Sequence, residues 1–268
     1  MNKKAELPER MSDQSFRLER AIDPSSYCPG VSIDCVVIGF DQDLLHILLL
    51  NWKEHDLWML PGGFVNLDED MDQAATRILE ERTSIKLPYL TQFHTFGDVN
   101  RRDKNMLAEF AGMLDGASFA KLNDFLKQRF ISTGYLSLVN IKTCKPTADI
   151  MSDYCDWIPV NQIPTLLFDH DKIVGKALEQ LKIRINYLPI GIALLPEKFT
   201  MKEFQSLYEC ILDKKLDRGN FQKKILKLGI LDRYEKMLSG KAHKAPYLYA
   251  FNKERYNELL EKGIGYMN

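Results

Sequence analysis

Hydrophobic positions along the first half of this chain alternate between two patterns. Residues 31–40 and 44–50 are apolar runs rich in Val, Ile and Leu, and they predict two strands. Asp41-Gln42-Asp43 between them is suited to a hairpin turn. Residues 57–60 lead into Pro61-Gly62-Gly63, which predicts a second turn. Residues 70–82 contain neither Gly nor Pro, and Met71, Ala75, Ile78, Leu79 and Arg82 recur at helical spacing. Residues 133–141 and 156–159 predict further strands, and 173–185 a helix with Pro189 beyond its end.

The pattern changes after residue 190. Thr200 followed by Glu203 is a capping box, which predicts a helix to Leu212. Asp217 can cap a second helix over 218–228, and Gly229 can end it. Ile230-Leu231, a charged loop with Gly240 and an apolar strand at 247–251 complete the order of a winged helix. Residues 1–26 are polar and predict a loose arm. The expected division is therefore an arm at 1–26, a first domain at 27–170, a linker helix at 171–186, a winged-helix domain at 187–258 and a tail at 259–268.

Composition sharpens this division. The 268 residues carry a net charge of −1, but residues 181–268 hold 17 Lys and Arg against 10 Asp and Glu. Residues 1–180 hold 19 against 27. A basic C-terminal part suits an anionic partner. The five cysteines are odd in number and show no C-x-x-C spacing, which predicts free thiols in a reducing compartment. No apolar run reaches about 18 residues, and the charged N-terminus lacks a signal-peptide core, so no membrane partner and a cytoplasmic location are expected.

Residues 62–85 read GGFVNLDEDMDQAATRILEERTSI. This segment resembles the box of the Nudix hydrolases, with Gly63, Glu69, Arg77, Leu79, Glu81 and Ile85 on the pattern. The resemblance covers about residues 28–170 and implies an α-β-α (α+β) fold, a mixed sheet flanked by helices. In working members, carboxylates at the positions of Ile78, Glu81 and Arg82 hold Mg²⁺ or Mn²⁺. Here one of the three is acidic, and Arg82 is expected to pair with Glu81 or Glu80 instead of admitting a cation. No cofactor, no bound metal and no catalytic residue are therefore expected. Gly62, Gly63 and Arg77 are expected to be architectural, with Arg77 clamping Glu69. The alternative is a metal-dependent hydrolase of a nucleoside diphosphate derivative. None of the five histidines offers a metal-ligating pair.

On the second C-terminal helix, Asn220, Lys223, Lys224 and Lys227 fall within about 100° of one another, opposite Phe221, Ile225 and Leu228. Lys214, Lys215 and Arg218 precede or open that helix, and Lys241 and Lys244 lie in the expected wing. Such a face suits double-stranded DNA.

Phe168-Asp169-His170, the segments at 187–190 and 194–200, and 216–221 together resemble the NrtR-type bacterial regulators, over about residues 28–252. That resemblance implies a homodimer on a palindromic operator and a small-molecule effector, ADP-ribose in some members and a sugar in others. The degenerate box leans toward the sugar-pathway branch. Phe96-Gly97-Asp98 and Arg101 match, but residues 104–128 intervene before the next strand, including an expected helix at 119–130. This insertion is read as a surface embellishment, or as an altered lid or dimer contact. Trp58, Arg82, Asp98 and Arg101 are the effector-site candidates, for stacking on a ring or forking onto phosphates and hydroxyls. His170 is expected to cap the helix that follows or to reach the pocket.

Overall fold

A computed structural model of the chain describes residues 24–52, 57–86, 90–101, 125–126, 128–149, 152–185, 190–236 and 245–262. The expected arm, most of the insertion, and Lys241 and Lys244 of the wing lie outside these residues. The first part runs β1 (Tyr27–Asp41), β2 (Leu44–Trp52), β3 (Trp58–Met59), β4 (Gly62–Asn66), α1 (Met71–Thr83), β5 (Thr91–Phe96), β6 (Ile131–Val139), β7 (Ser152–Pro159) and α2 (His170–Arg184). Strand order is β3-β2-β1-β6-β5, with β4 paired to β1 and β7 to β2. The β1–β6 pair is parallel and the rest antiparallel, so the sheet is mixed.

The apolar runs of β1 and β2 reflect burial on both faces. Ile33, Cys35, Val37, Leu48 and Leu50 point to one face, where Ala74, Ala75, Ile78 and Leu79 of α1 cover them. Val36, Ile38, Ile47 and Leu49 point to the other, beneath Ile173, Val174, Ala177 and Leu181 of α2. The helix expected to be a linker is thus a core element of the sheet. α1 begins at an Asp70 N-cap in a capping box with Gln73.

The second core face does not stop at α2. It continues through Ile190, Leu194, Phe199, Phe204, Leu207, Phe221, Ile225 and Tyr249. These residues belong to α3 (Gly191–Leu194), β8 (Phe199–Thr200), α4 (Met201–Leu212), α5 (Arg218–Lys227) and β10 (Tyr247–Phe251), or directly precede them. α4 meets both α2 and β2, and the Asn140 side chain donates to Leu195 O at 3.5 Å. The capping box of Thr200 and Glu203 is formed as expected, and Gly229, at φ +69°, ends α5.

Two elements depart from expectation. Residues 232–236, read as part of the charged loop after Ile230-Leu231, belong to β9 (Leu231–Lys236) beside β10, and β8 makes the third strand of that sheet. Polar side chains there face water while the backbone pairs, which weakens any apolar signal. The supposed boundary at 258 falls inside α6 (Lys253–Lys262), whose Tyr256 and Leu259 pack on Ile230.

Phe204 is fully buried against Phe199, Phe221 and Phe251 at the centre of the C-terminal core. Phe204→Ala is expected to lower stability by about 3–5 kcal/mol in urea denaturation. An unchanged midpoint would show that this side chain is not packed as described.

Candidate functional site

α1 presents the box residues, and its surroundings decide what they can do. Arg77 Nε and Nη2 donate to the two carboxylate oxygens of Glu69 at 2.8 and 2.6 Å. Nη1 donates to Glu81 Oε2 at 2.8 Å, and Nη2 also reaches Phe64 O at 2.8 Å. Glu69 in turn accepts from Asn66 N at 2.7 Å. Burial alone would raise the Glu69 pKa, but Arg77 and the Asn66 backbone hold it below the ordinary value. Arg77 therefore ties the loop at 64–69 to the helix, and Glu81 is engaged in the same clamp.

The other two expected metal positions face inward. Ile78 is buried beneath Gly63, where a Cβ would meet its side chain at 3.1 Å. Arg82 pairs with Asp149, not with Glu81 or Glu80, and its Nη2 lies 3.7 Å from Met59 Sδ. The reason is direction: position 82 shares the buried side of α1 with Ile78, whereas Glu80 lies closer to the rim, where it pairs with Lys86 at 3.0 Å. Burial lowers the Arg82 pKa against the opposing pull of Asp149. Among the described residues no group of three or more His, Cys, Asp and Glu is arranged to hold a metal ion. A hydrophobe, a clamped carboxylate and a guanidinium do not fit a divalent cation. The open groove along α1 is lined by Asp72, Gln73, Thr76, Arg77, Glu80 and Glu81.

A second polar cluster sits on the opposite face of the sheet. Asp34 of β1 is buried and accepts from Ser132. Arg101 grips Asp169 with Nε and Nη2 at 2.9 and 2.8 Å, and Nη2 lies 3.8 Å from Asp34 Oδ2. His170 Nδ1 accepts from Leu60 N at 3.0 Å, which leaves Nε2 to face Asp34 Oδ1 at 3.3 Å. Gly62 makes room for this carboxylate, since a Cβ there would come within 2.5 Å of Asp34 Oδ1. Burial pushes the Asp34 pKa up, but His170, Ser132 and Arg101 together bring it below its ordinary value.

The four effector-site candidates do not converge. Arg82 lies under α1, while Arg101 is enclosed with Asp169 at the start of α2. Trp58 is half-buried against the α2-side core and its carbonyl accepts from Leu167 N. Asp98 is exposed and caps the turn to Arg101 by accepting from Asn100 N at 2.8 Å. His170 joins the buried cluster; it does not cap α2 with its side chain. Phe125 and Leu126, within the insertion, pack with Tyr27, Phe64 and Phe130 beside the segment that Arg77 fixes. Asp34, Asp149 and Asp169 were not singled out as site residues in the sequence. Asp34 had a signal, a lone acid inside an apolar strand.

On α5, Phe221 and Ile225 are buried, while Arg218, Asn220, Lys223, Lys224 and Lys227 are exposed. Lys214 and Lys215 are exposed in the preceding turn, Lys215 with a 3.1 Å contact to Glu209. Glu209 holds that turn by accepting from Leu216 N at 2.8 Å. Hydrogen bonds from Leu216, Gln205 and Lys215 bring its pKa down to about 2. The wing adds cations that the sequence reading missed. Arg233 and Lys236 lie over the Tyr247 ring at 4.7 and 5.2 Å, and Lys198 over Tyr234 at 4.6 Å.

A mixed sheet whose box helix and loop are clamped by an arginine, sharing a core with a basic winged helix, defines a two-module Nudix-fold protein. The family model for the NUDIX domain matches residues 29–181, and that for the NrtR DNA-binding winged helix domain matches 191–251. The chain belongs to the NUDIX family, in its NrtR-type form with a C-terminal winged helix. It is 28% identical over 256 residues, 92% of each chain, to the protein of Acinetobacter baylyi named ADPR responsive transcriptional repressor NtrR. It is similar to the crystal structure of Shewanella oneidensis NrtR, with a TM-score of 0.63, 25% identity, and coverage of 85% of this chain and 96% of that one. A MutT/nudix family protein from Enterococcus faecalis shares the fold, with a TM-score of 0.61, 19% identity, and 93% and 95% coverage.

The buried cluster makes a pH prediction. Asp34 has a folded pKa below its ordinary 3.8, so its contribution is complete above that value and is lost as pH falls through the folded pKa. Acid denaturation below roughly pH 4 should therefore flatten in Asp34→Asn. Arg101→Met leaves Asp169 and Asp34 without that cation and should cost about 3–5 kcal/mol in denaturant unfolding. A cost under about 1 kcal/mol would mean that the cluster is solvated.

Proposed function

We propose that this protein is an effector-responsive transcriptional regulator, in which the winged helix binds an operator as a homodimer and the Nudix domain senses an ADP-ribose-like metabolite. The observation that carries this reading is the exposed cationic face of α5, set over a core continuous with the Nudix sheet. A helix that buries Phe221 and Ile225 and turns Asn220, Lys223, Lys224 and Lys227 outward has the form of a recognition helix entering the major groove. The cations of the preceding turn and the wing flank it, as phosphate contacts do. Residues 191–251 match the family model for this DNA-binding domain, which supports the same assignment.

The effector class rests on the Acinetobacter relative, whose name describes a repressor responsive to ADPR. This favours a nucleotide sugar over the free sugar toward which the degenerate box leans. A metabolite-binding rather than hydrolytic role for the Nudix domain is supported by the poor fit of Ile78, Glu81 and Arg82 to a metal. Mg²⁺-dependent turnover of ADP-ribose that disappears in Glu81→Gln would replace this reading with that of a hydrolase.

The test is fluorescence anisotropy with duplex DNA from upstream of the protein's own gene and of its neighbours, over a series of salt concentrations. Lys223→Ala or Lys224→Ala should weaken binding and reduce the salt slope by about 1 each. Operator affinity equal to wild type in the double variant would remove α5 from the interface.

A further inference from the structure

We propose that Arg82 supplies the positive charge that a divalent cation brings in catalytic Nudix proteins, so that the anionic effector binds without metal by drawing this guanidinium away from Asp149. The inference rests on the effector reading above and adds how that effector is held.

The position comes first. Arg82 occupies one of the box positions where working members place a metal-binding carboxylate, one helical turn from Ile78 beneath Gly63. A fixed cation thus stands where a bound cation would stand. Its counter-charge is the second observation. Asp149 comes from the loop between β6 and β7, and that loop is fastened to the same helix by Thr147 N donating to Thr83 O at 2.8 Å. Ser152 N donates to Asp149 O at 3.3 Å, fixing the acid from its other side. The carboxylate is therefore built into place, not a surface partner met by chance.

The exposure is the third. The side chains of Arg82 and Asp149 are 14% and 11% exposed, so the pair is neither sealed in the core nor free in water. A guanidinium forks onto a carboxylate and onto a phosphate in the same planar geometry. Asp149 Oδ2 accepts from Arg82 Nη1, the contact for which a diphosphate oxygen would compete. A diphosphate that draws Arg82 away leaves the Asp149 carboxylate to be hydrated at this partly exposed site, whereas binding of Mg²⁺ beside Arg82 would set two cations together. Glu81, the remaining acidic position, is held by Arg77 at 2.8 Å.

A pair that is only structural would respond differently to its two halves than a pair that competes with ligand. Calorimetry on the full chain with ADP-ribose, in EDTA and in Mg²⁺, separates them. Wild type should bind with affinities that agree within about twofold in the two buffers, and Arg82→Gln should weaken binding about tenfold or more. Asp149→Asn removes the internal competitor and should bind at least as tightly as wild type. Should Asp149 left alone in Arg82→Gln unfold the chain, the Arg82→Gln/Asp149→Asn double variant removes both charges of the pair and should show the same weak binding. Binding that requires Mg²⁺, or equal losses in Arg82→Gln and Asp149→Asn, or wild-type affinity in the double variant, would overturn the proposal. Wild type that binds ADP-ribose in neither buffer would overturn the effector reading itself, and this inference with it.

Discussion

An ionised carboxylate in the middle of a sheet must be compensated where it stands, and Asp34 sets that requirement for this protein. Its partners come from three places in the chain: Ser132 on the parallel neighbour, Arg101 after β5, and His170 at the start of α2, where Asp169 in turn holds Arg101. Satisfying Asp34 therefore fixes where α2 begins. His170 reaches back to Leu60, just before the Gly62-Gly63 turn, and so ties the same point to the strand that leads into the box. From there α2 lies across the sheet, and its apolar side is shared with α4 and the winged-helix core. The placement of the basic helix α5 relative to the Nudix sheet thus traces back, through packed contacts, to a buried charge cluster.

The two faces of the sheet have separate tasks. On the α1 face the box keeps an arginine clamp, and two of its positions carry no carboxylate. Arg77 still clamps Glu69 and the loop, while Ile78 and Arg82 turn the metal positions into a hydrophobic contact and an ion pair with Asp149. On the α2 face the charges are enclosed and hold the start of α2 against the sheet. This separation explains why Arg82 and Arg101, alike in the sequence as candidates for an anion, have different surroundings. One is paired with an acid near the rim of α1, and the other grips Asp169 at the foot of a helix.

Much of this was legible in the residues. The capping box at Thr200, the N-cap at Asp217 and the stop at Gly229 marked helix limits closely, because each depends on local hydrogen bonds. The clamp between Arg77 and Glu69 followed from the box, and the cationic side of α5 from helical spacing. Partners distant in sequence were not legible. Arg82 with Asp149 and Arg101 with Asp169 are each separated by more than sixty residues, and only the closing of the sheet brings them together. The extent of β9 beyond Leu231 was missed because Asp232, Arg233, Glu235 and Lys236 give a strand with little apolar content, held by its backbone pairing to β10. The linker reading of α2 failed for a related reason: amphipathic spacing shows that a helix has a face to bury, not which surface receives it.

The central claim is that the proposed effector site and the proposed DNA-binding helix belong to one coupled body. Linkage requires that if ADP-ribose changes operator affinity by some factor, the operator changes ADP-ribose affinity by the same factor. Titrating ADP-ribose into the free protein and into its saturated operator complex measures that factor directly, and the reverse titration checks it. The account predicts two different ADP-ribose affinities whose ratio matches the shift in operator binding. Identical ADP-ribose affinities with and without DNA would contradict it.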